Sequence, residues 1–169
     1  MTFQVGEKVV YPNHGVGTIE NISSRSFGTQ QERFYLLRLA PSSMTVMVPF
    51  SHVDDLGLRK VTKCSEINRV LNYLAAGQPC CAHDWKDRFK ENSDRMKGGS
   101  LLEIAEVFKA LVIIQMSKPL SFREKKMLER ARSMLILETS VAKSVSEPDA
   151  VAIIAKALAK SSLPMPAAL

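Results

Sequence analysis

The sequence is poor in most features that would announce chemistry. Three cysteines in 169 residues (Cys64, Cys80, Cys81), two of them adjacent, cannot make a disulfide framework. A reducing, cytoplasmic setting is the expectation. Apolar runs such as Ala110–Ile114 fall far short of the about 20 residues that a bilayer-crossing helix needs, so no membrane span is expected. Met1–Lys8 has neither the basic start nor the apolar stretch of a secretory signal. A glycine-rich phosphate loop is missing as well. His14-Gly15-Val16-Gly17 reads as a turn, because no Gly-Lys-Ser/Thr follows it.

Metal and catalytic constellations are equally scarce. Cys80, Cys81 and His83 are the best candidate ligands, but adjacent cysteines do not give the spacing that lets a turn wrap a zinc ion, and Cys64 lies across an expected helix. They read as ordinary linker thiols. His14 and His52 could serve as acid or base, yet no nucleophile stands with either in a recognisable pattern. The expectation is a protein that is not an enzyme and that holds no metal or cofactor.

What the chain does have is positive charge, unevenly spread. Residues 1–60 hold six Lys/Arg against five Asp/Glu, while residues 61–169 hold seventeen against twelve. A polyanionic partner should therefore meet the second part. The densest stretch is Lys118–Arg132, where Lys118, Arg123, Lys125, Lys126, Arg130 and Arg132 face only Glu124 and Glu129. A solvated helix face is the plain reading of such a run, and its sign also suits phosphate contacts.

Hydrophobic periodicity changes near residue 60. Before it, Phe3–Val5, Lys8–Tyr11, Val16–Ile22, Arg33–Leu39 and Met44–Val48 are short, rich in Val, Ile and aromatics, and separated by turn residues. Five short strands in so little chain suit a small SH3-like or Tudor-like barrel. After it, apolar residues recur at helical spacing. Ser65 is placed to cap a first helix ended by Gly77, and Asp84 to cap a second carrying Trp85, Phe89 and Met96, closed by Gly98 and Gly99. Ser100–Glu103 and Ser121–Glu124 read as capping boxes opening a third and a fourth helix, the latter reaching about Lys143. Ser146 opens a fifth, with Pro148 tolerated in its first turn. The tail Ser161–Leu169, with two prolines, is expected to fray. The fold class is thus α+β in two domains, a β module over 1–60 and about five helices over 61–169.

Two spots stand out within that plan. Trp85, the single tryptophan, opens an expected helix beside Lys86, Arg88 and Lys90. A large aromatic there packs inward by default, but it could also protrude as a wedge that prises base steps apart from the minor groove. Met47 and Pro49 end the last strand of the β module. They could be core filler, or a soft docking edge to which another protein's strand adds.

The opening Phe3-Gln-Val-Gly6-Glu-Lys-Val-Val-Tyr11-Pro12-Asn-His-Gly15-Val-Gly17 resembles the CarD/CdnL transcription regulators. So do Phe34-Tyr35-Leu-Leu-Arg38, Met47-Val-Pro49, Gly57-Leu-Arg59 and Trp85-Lys-Asp-Arg88-Phe89-Lys90. Glu103-Ile-Ala-Glu106-Val107 and the run from Leu120 to Arg132 complete a collinear similarity from residue 3 to about 145. The opening motif also resembles the polymerase-binding module of the transcription-repair coupling factor, whose helicase motor has no counterpart here.

The resemblance implies a division of labour. A Tudor-like domain would dock on the β subunit of bacterial RNA polymerase through Arg25, Met47 and Pro49. The helical domain would reach the upstream edge of the promoter bubble, where Trp85 wedges into the minor groove and Lys86, Arg88, Lys90, Lys125 and Lys126 face DNA. Asp87 departs from the family's usual base and opposes phosphate contact. A cytoplasmic monomer acting at the nucleoid is the expectation. The alternative is an adaptor on polymerase whose helical part grips another protein.

Overall fold

The computed structural model of the chain describes residues 2–12, 14–40, 42–76, 85–98 and 100–168, residue 85 through its backbone. These residues form two compact units, Met1–Val61 and Thr62–Leu169. The architecture is α+β: a small Tudor-like β domain followed by a helical domain.

The first unit is a five-stranded antiparallel sheet. Its strands are β1 (Lys8–Tyr11), β2 (Gly15–Phe27), β3 (Gln30–Leu39), β4 (Thr45–Pro49) and β5 (Arg59–Lys60), in the spatial order β4-β3-β2-β1-β5. A single turn of 3-10 helix, Phe50–His52, follows β4. Alternation drives the packing: Val9, Ile19, Tyr35, Leu37, Leu39 and Val48 all point to one face, where Phe3, Val53 and Leu58 close over them. At Gly17 the strands pass so close that a Cβ would stand 2.7 Å from Leu37 Cδ1 and 2.9 Å from the Arg38 carbonyl oxygen. Only glycine fits there.

Two expectations are corrected. Phe3–Val5 is not a strand; the fifth strand is Arg59–Lys60, paired with Val9 and Val10. Phe3 is held instead by its buried ring, edge-on to Tyr35 at 5.5 Å, while its N–H donates to the Tyr35 hydroxyl at 3.0 Å. Strands β2 and β3 are also longer than the apolar pattern suggests. They continue as a largely exposed hairpin through Asn21–Phe27 and Gln30–Phe34, turned by Gly28 at φ 64°. A β-bulge between Ile19 and Asn21 shifts the register at the start of that extension.

The second unit holds α1 (Cys64–Ala76), α2 (Trp85–Gly98), α3 (Leu101–Ser117), α4 (Phe122–Lys143) and α5 (Glu147–Lys160). Both expected capping boxes are formed: the Ser100 and Ser121 side chains accept from the N–H of Glu103 and Glu124, whose carboxylates accept in return. Ser146 caps α5, with Pro148 in the first turn where its missing N–H costs nothing. Ser65 is not a cap, since α1 already begins at Cys64 and the Lys63 carbonyl accepts from Glu66 and Ile67. Gly77 and Asp84, expected to end α1 and to cap α2, lie outside the described residues.

Helix α3 packs against α1, α2 and α4 and supplies the centre of the core through Ile104, Ala105, Phe108, Leu111 and Val112. Two charged groups buried in this core have partners. Glu138, fully buried on α4, accepts from the Thr62 N–H and hydroxyl, and the Lys109 ammonium donates to the Tyr73 carbonyl. Burial pushes the Lys109 ammonium below its usual pKa. Two contacts tie residues of the tail to the helices. Ser161 donates to the Leu74 carbonyl, and the Pro166 carbonyl accepts from Arg132 Nε at 3.0 Å.

Candidate protein and nucleic-acid interfaces

The register of the sheet decides what its outer face presents. Residues directly opposite on antiparallel strands share a face. Leu36 lies opposite Asn21 and Met47, Phe34 opposite Ser23 and Pro49, and Glu32 opposite Arg25. Val48, Tyr35 and Leu37, on the alternate positions, take the core side. Arg25, Met47 and Pro49 therefore stand on one outward face, with Phe34 and Leu36 half-buried between them. Phe27 extends the apolar strip, 59% exposed, its ring 6.2 Å from that of Phe34. β4 carries Met47 and Pro49 and is an edge of the sheet.

Phe27, Phe34 and Leu36 escaped the sequence reading. A signal existed for two of them: Phe34-Tyr35-Leu36-Leu37 is apolar at four successive positions, so a strand there must put apolar side chains on both faces.

In the helical unit the candidate residues fall into two groups. On α2, Lys86 and Lys90 are exposed, as is Asp87. Arg88 sits differently from the expectation of a DNA-facing base. Its Nη2 lies 2.8 Å from Glu124 Oε1 on α4, and the two side chains are only 14% and 10% exposed. Arg95 is likewise committed, to Glu91 at 2.8 Å and Glu106 at 3.3 Å. On α4, Lys125 and Lys126 are exposed, and the Lys126 ammonium stands 4.6 Å from the centre of the Phe122 ring.

The Arg88–Glu124 pair joins the first turns of α2 and α4. Burial alone would raise the Glu124 pKa. The hydrogen bonds from Arg88 and from the Ser121 backbone and hydroxyl, with the guanidinium charge, hold it below its ordinary value instead. Trp85 is the first residue of α2, one turn before Arg88. The joint thus fixes the helix end that carries Trp85 next to the helix end that carries Phe122, Lys125 and Lys126.

The remaining described candidates make local contacts. His14 stacks on Tyr11 at 4.5 Å, and His52 Nδ1 meets the Ser51 hydroxyl at 3.1 Å. Cys80, Cys81 and His83 lie outside the described residues. Among the described residues no three His, Cys, Asp or Glu are grouped to hold a metal, and no helix is long and apolar enough to cross a membrane.

Comparison with known proteins bears on both units. Residues 3–62 match the family model of the CarD-like/TRCF RID domain, and residues 69–155 match that of the CarD C-terminal domain. A Bacillus subtilis (strain 168) protein named "Putative transcription factor YdeB" is 37% identical over 145 residues, spanning 86% of this chain and 95% of its own. A solved structure described as "CdnLNt from Myxoccoccus xanthus" is 36% identical, covers 36% of this chain and 86% of its own, and aligns with a TM-score of 0.31.

Proposed function

From the premise that the chain belongs to the CarD family of transcription factors, we propose that it docks on the β subunit of bacterial RNA polymerase and stabilises the promoter open complex. The β unit makes the protein contact through Arg25, Met47 and Pro49. The helical unit makes the DNA contact at the upstream edge of the bubble through Trp85, with Lys86, Lys90, Lys125 and Lys126 on phosphates. Arg88 positions the α2 helix end rather than serving as a phosphate ligand, because its side chain is largely buried and its Nη2 is committed to Glu124. The protein acts in the cytoplasm as a monomer, by binding alone, with no metal and no cofactor.

The observation that carries this reading is the outward sheet face. Soluble proteins seldom leave an apolar strip rimmed by a cation on an edge strand without a partner to cover it, and β4 offers unpaired backbone beside it. Polymerase docking then supplies the address, so the DNA contact needs no sequence readout. A wedge that fits only melted or distorted DNA raises the open population by its differential affinity: about 1.4 kcal/mol changes the ratio tenfold.

The test is Trp85→Ala in promoter complexes formed with polymerase. The variant should keep polymerase binding and lose the extension of open-complex lifetime; equal lifetimes for variant and wild type would reject the wedge. A second reading has its own observation. Asp87 is exposed on the first turn of α2, where it repels phosphate. If DNA contributes nothing to retention even at low salt, the protein is an adaptor whose helical unit grips another protein.

A further inference from the structure

We propose that Phe122 is a second aromatic contact to DNA, one that stacks on an unpaired base of the melted region; this rests on the DNA-contact reading of the helical unit. Phe122 is 72% exposed, the first residue of α4 after its cap Ser121. A phenylalanine ring so far in water forgoes a burial free energy larger than a surface cation–π pair returns. The Lys126 ammonium stands 4.6 Å from its ring centre. That cation lies over the ring, and most of the side chain remains in solvent.

The charges around the ring specify the partner. From 122 to 128 the chain has three bases and one acid. That acid, Glu124, is turned inward onto Arg88 and the Ser121 cap. In the same first turns Arg123, Lys125 and Lys126 are exposed, Lys126 standing at the ring. An aromatic face set among cations, with the nearby acid withdrawn, fits an anionic ligand that carries flat rings. Single-stranded nucleic acid supplies both: every base offers a π-face, and the phosphates on either side meet the cations. Duplex DNA hides those faces in its stack, so a ring placed this way discriminates in favour of unpaired strands.

The Arg88–Glu124 joint gives the placement a purpose. It holds the α4 helix end beside the α2 helix end that begins at Trp85. A wedge at the junction and a stacking platform next to it would engage the two states of the same fork, the last paired step and the first unpaired base.

The experiment uses the full chain, at low salt, with a fork-junction oligonucleotide whose unpaired arm carries 5-iodouracil, and a duplex of equal length. Fluorescence anisotropy reads affinity; ultraviolet crosslinking and peptide mapping read the contact. Phe122→Leu should weaken fork binding about fivefold or more, the lower end for one stacked base. It should leave duplex binding and the unfolding midpoint unchanged, and the wild-type crosslink should map to the peptide bearing Phe122. The inference is overturned if Phe122→Leu keeps the preference for fork over duplex, or weakens both alike. Trp85→Ala separates this from the parent reading. Should Trp85→Ala lose fork binding while Phe122→Leu does not, Phe122 falls and the wedge stands. Should the wild type bind neither probe, both fall.

Discussion

At the scale of single residues, the Arg88–Glu124 pair decides how α2 and α4 meet, and its carboxylate makes stability depend on pH. In the folded chain burial works to raise the Glu124 pKa, but the Arg88 and Ser121 hydrogen bonds and the nearby charge outweigh it and hold the group below its ordinary value. A carboxyl depressed in the folded state stabilises the fold at any pH above its unfolded value, and that contribution fades as pH falls through the folded value. The helical unit should therefore lose stability on acidification through and below the usual carboxylate range, and Glu124→Gln should lose less over the same range. Urea midpoints from neutral pH downward check this; parallel curves for the two proteins would remove Glu124 from the account. The pairing itself was not legible in the sequence, where Arg88 reads as one more base beside Trp85. Its partner is 36 residues away, and only tertiary packing brings the two together. Phe122 was hidden for the complementary reason. It sits inside a strong capping signal, and a cap motif says where a helix starts without saying which way its first side chain points.

At the scale of elements, what was readable was local. The capping boxes at Ser100 and Ser121 and the buried stripe of α3 follow from i,i+3 and i,i+4 spacing, and the structure forms them. The outer hairpin of β2 and β3 was under-read because Asn21–Arg25 and Gln30–Arg33 lack an apolar alternation; their ladder is held by backbone pairing and a glycine turn. Phe3–Val5 was over-read because β-prone residues near a terminus can be anchored by one buried ring without any ladder. The tail's contacts, to the Arg132 guanidinium and the Leu74 carbonyl, were not readable because their partners are distant in sequence. The register of β4 makes a prediction at this scale. Met47→Glu puts a charge on the apolar outward strip between Leu36 and the sheet edge, without touching the core behind Val48. Polymerase binding should fall about tenfold or more if the strip is desolvated in the complex. The unfolding free energy should stay within about 0.5 kcal/mol, as for other surface changes. An unchanged affinity, measured by pull-down or interferometry, would move the polymerase contact off this face.

At the scale of the whole molecule, the proposed function assigns separate tasks to the two units. Apolar periodicity changes near residue 60, and the compact units divide after Val61. Positive charge is concentrated in the second unit, while the apolar outward strip belongs to the first. Each unit has its own core, Phe3 to Leu58 in one and the α3-centred helices in the other, so the tasks can be cut apart. On the proposed function, linking them would make the DNA contact effectively intramolecular once polymerase is bound, at a local concentration of order millimolar for a short connection. Residues 1–61 alone should then act as a competitor. In excess, they occupy the polymerase site without delivering a helix end to the DNA, and open complexes held by the full chain should decay at the rate of polymerase alone. Residues 62–169 should stabilise the same complexes only at concentrations about 100-fold or more higher than the intact chain, since the address is missing. Lifetimes measured by competitor challenge distinguish the cases. If the first unit displaces the full chain and lifetimes do not change, the linkage is not what couples polymerase binding to the bubble, and the helical unit must reach the DNA by its own affinity.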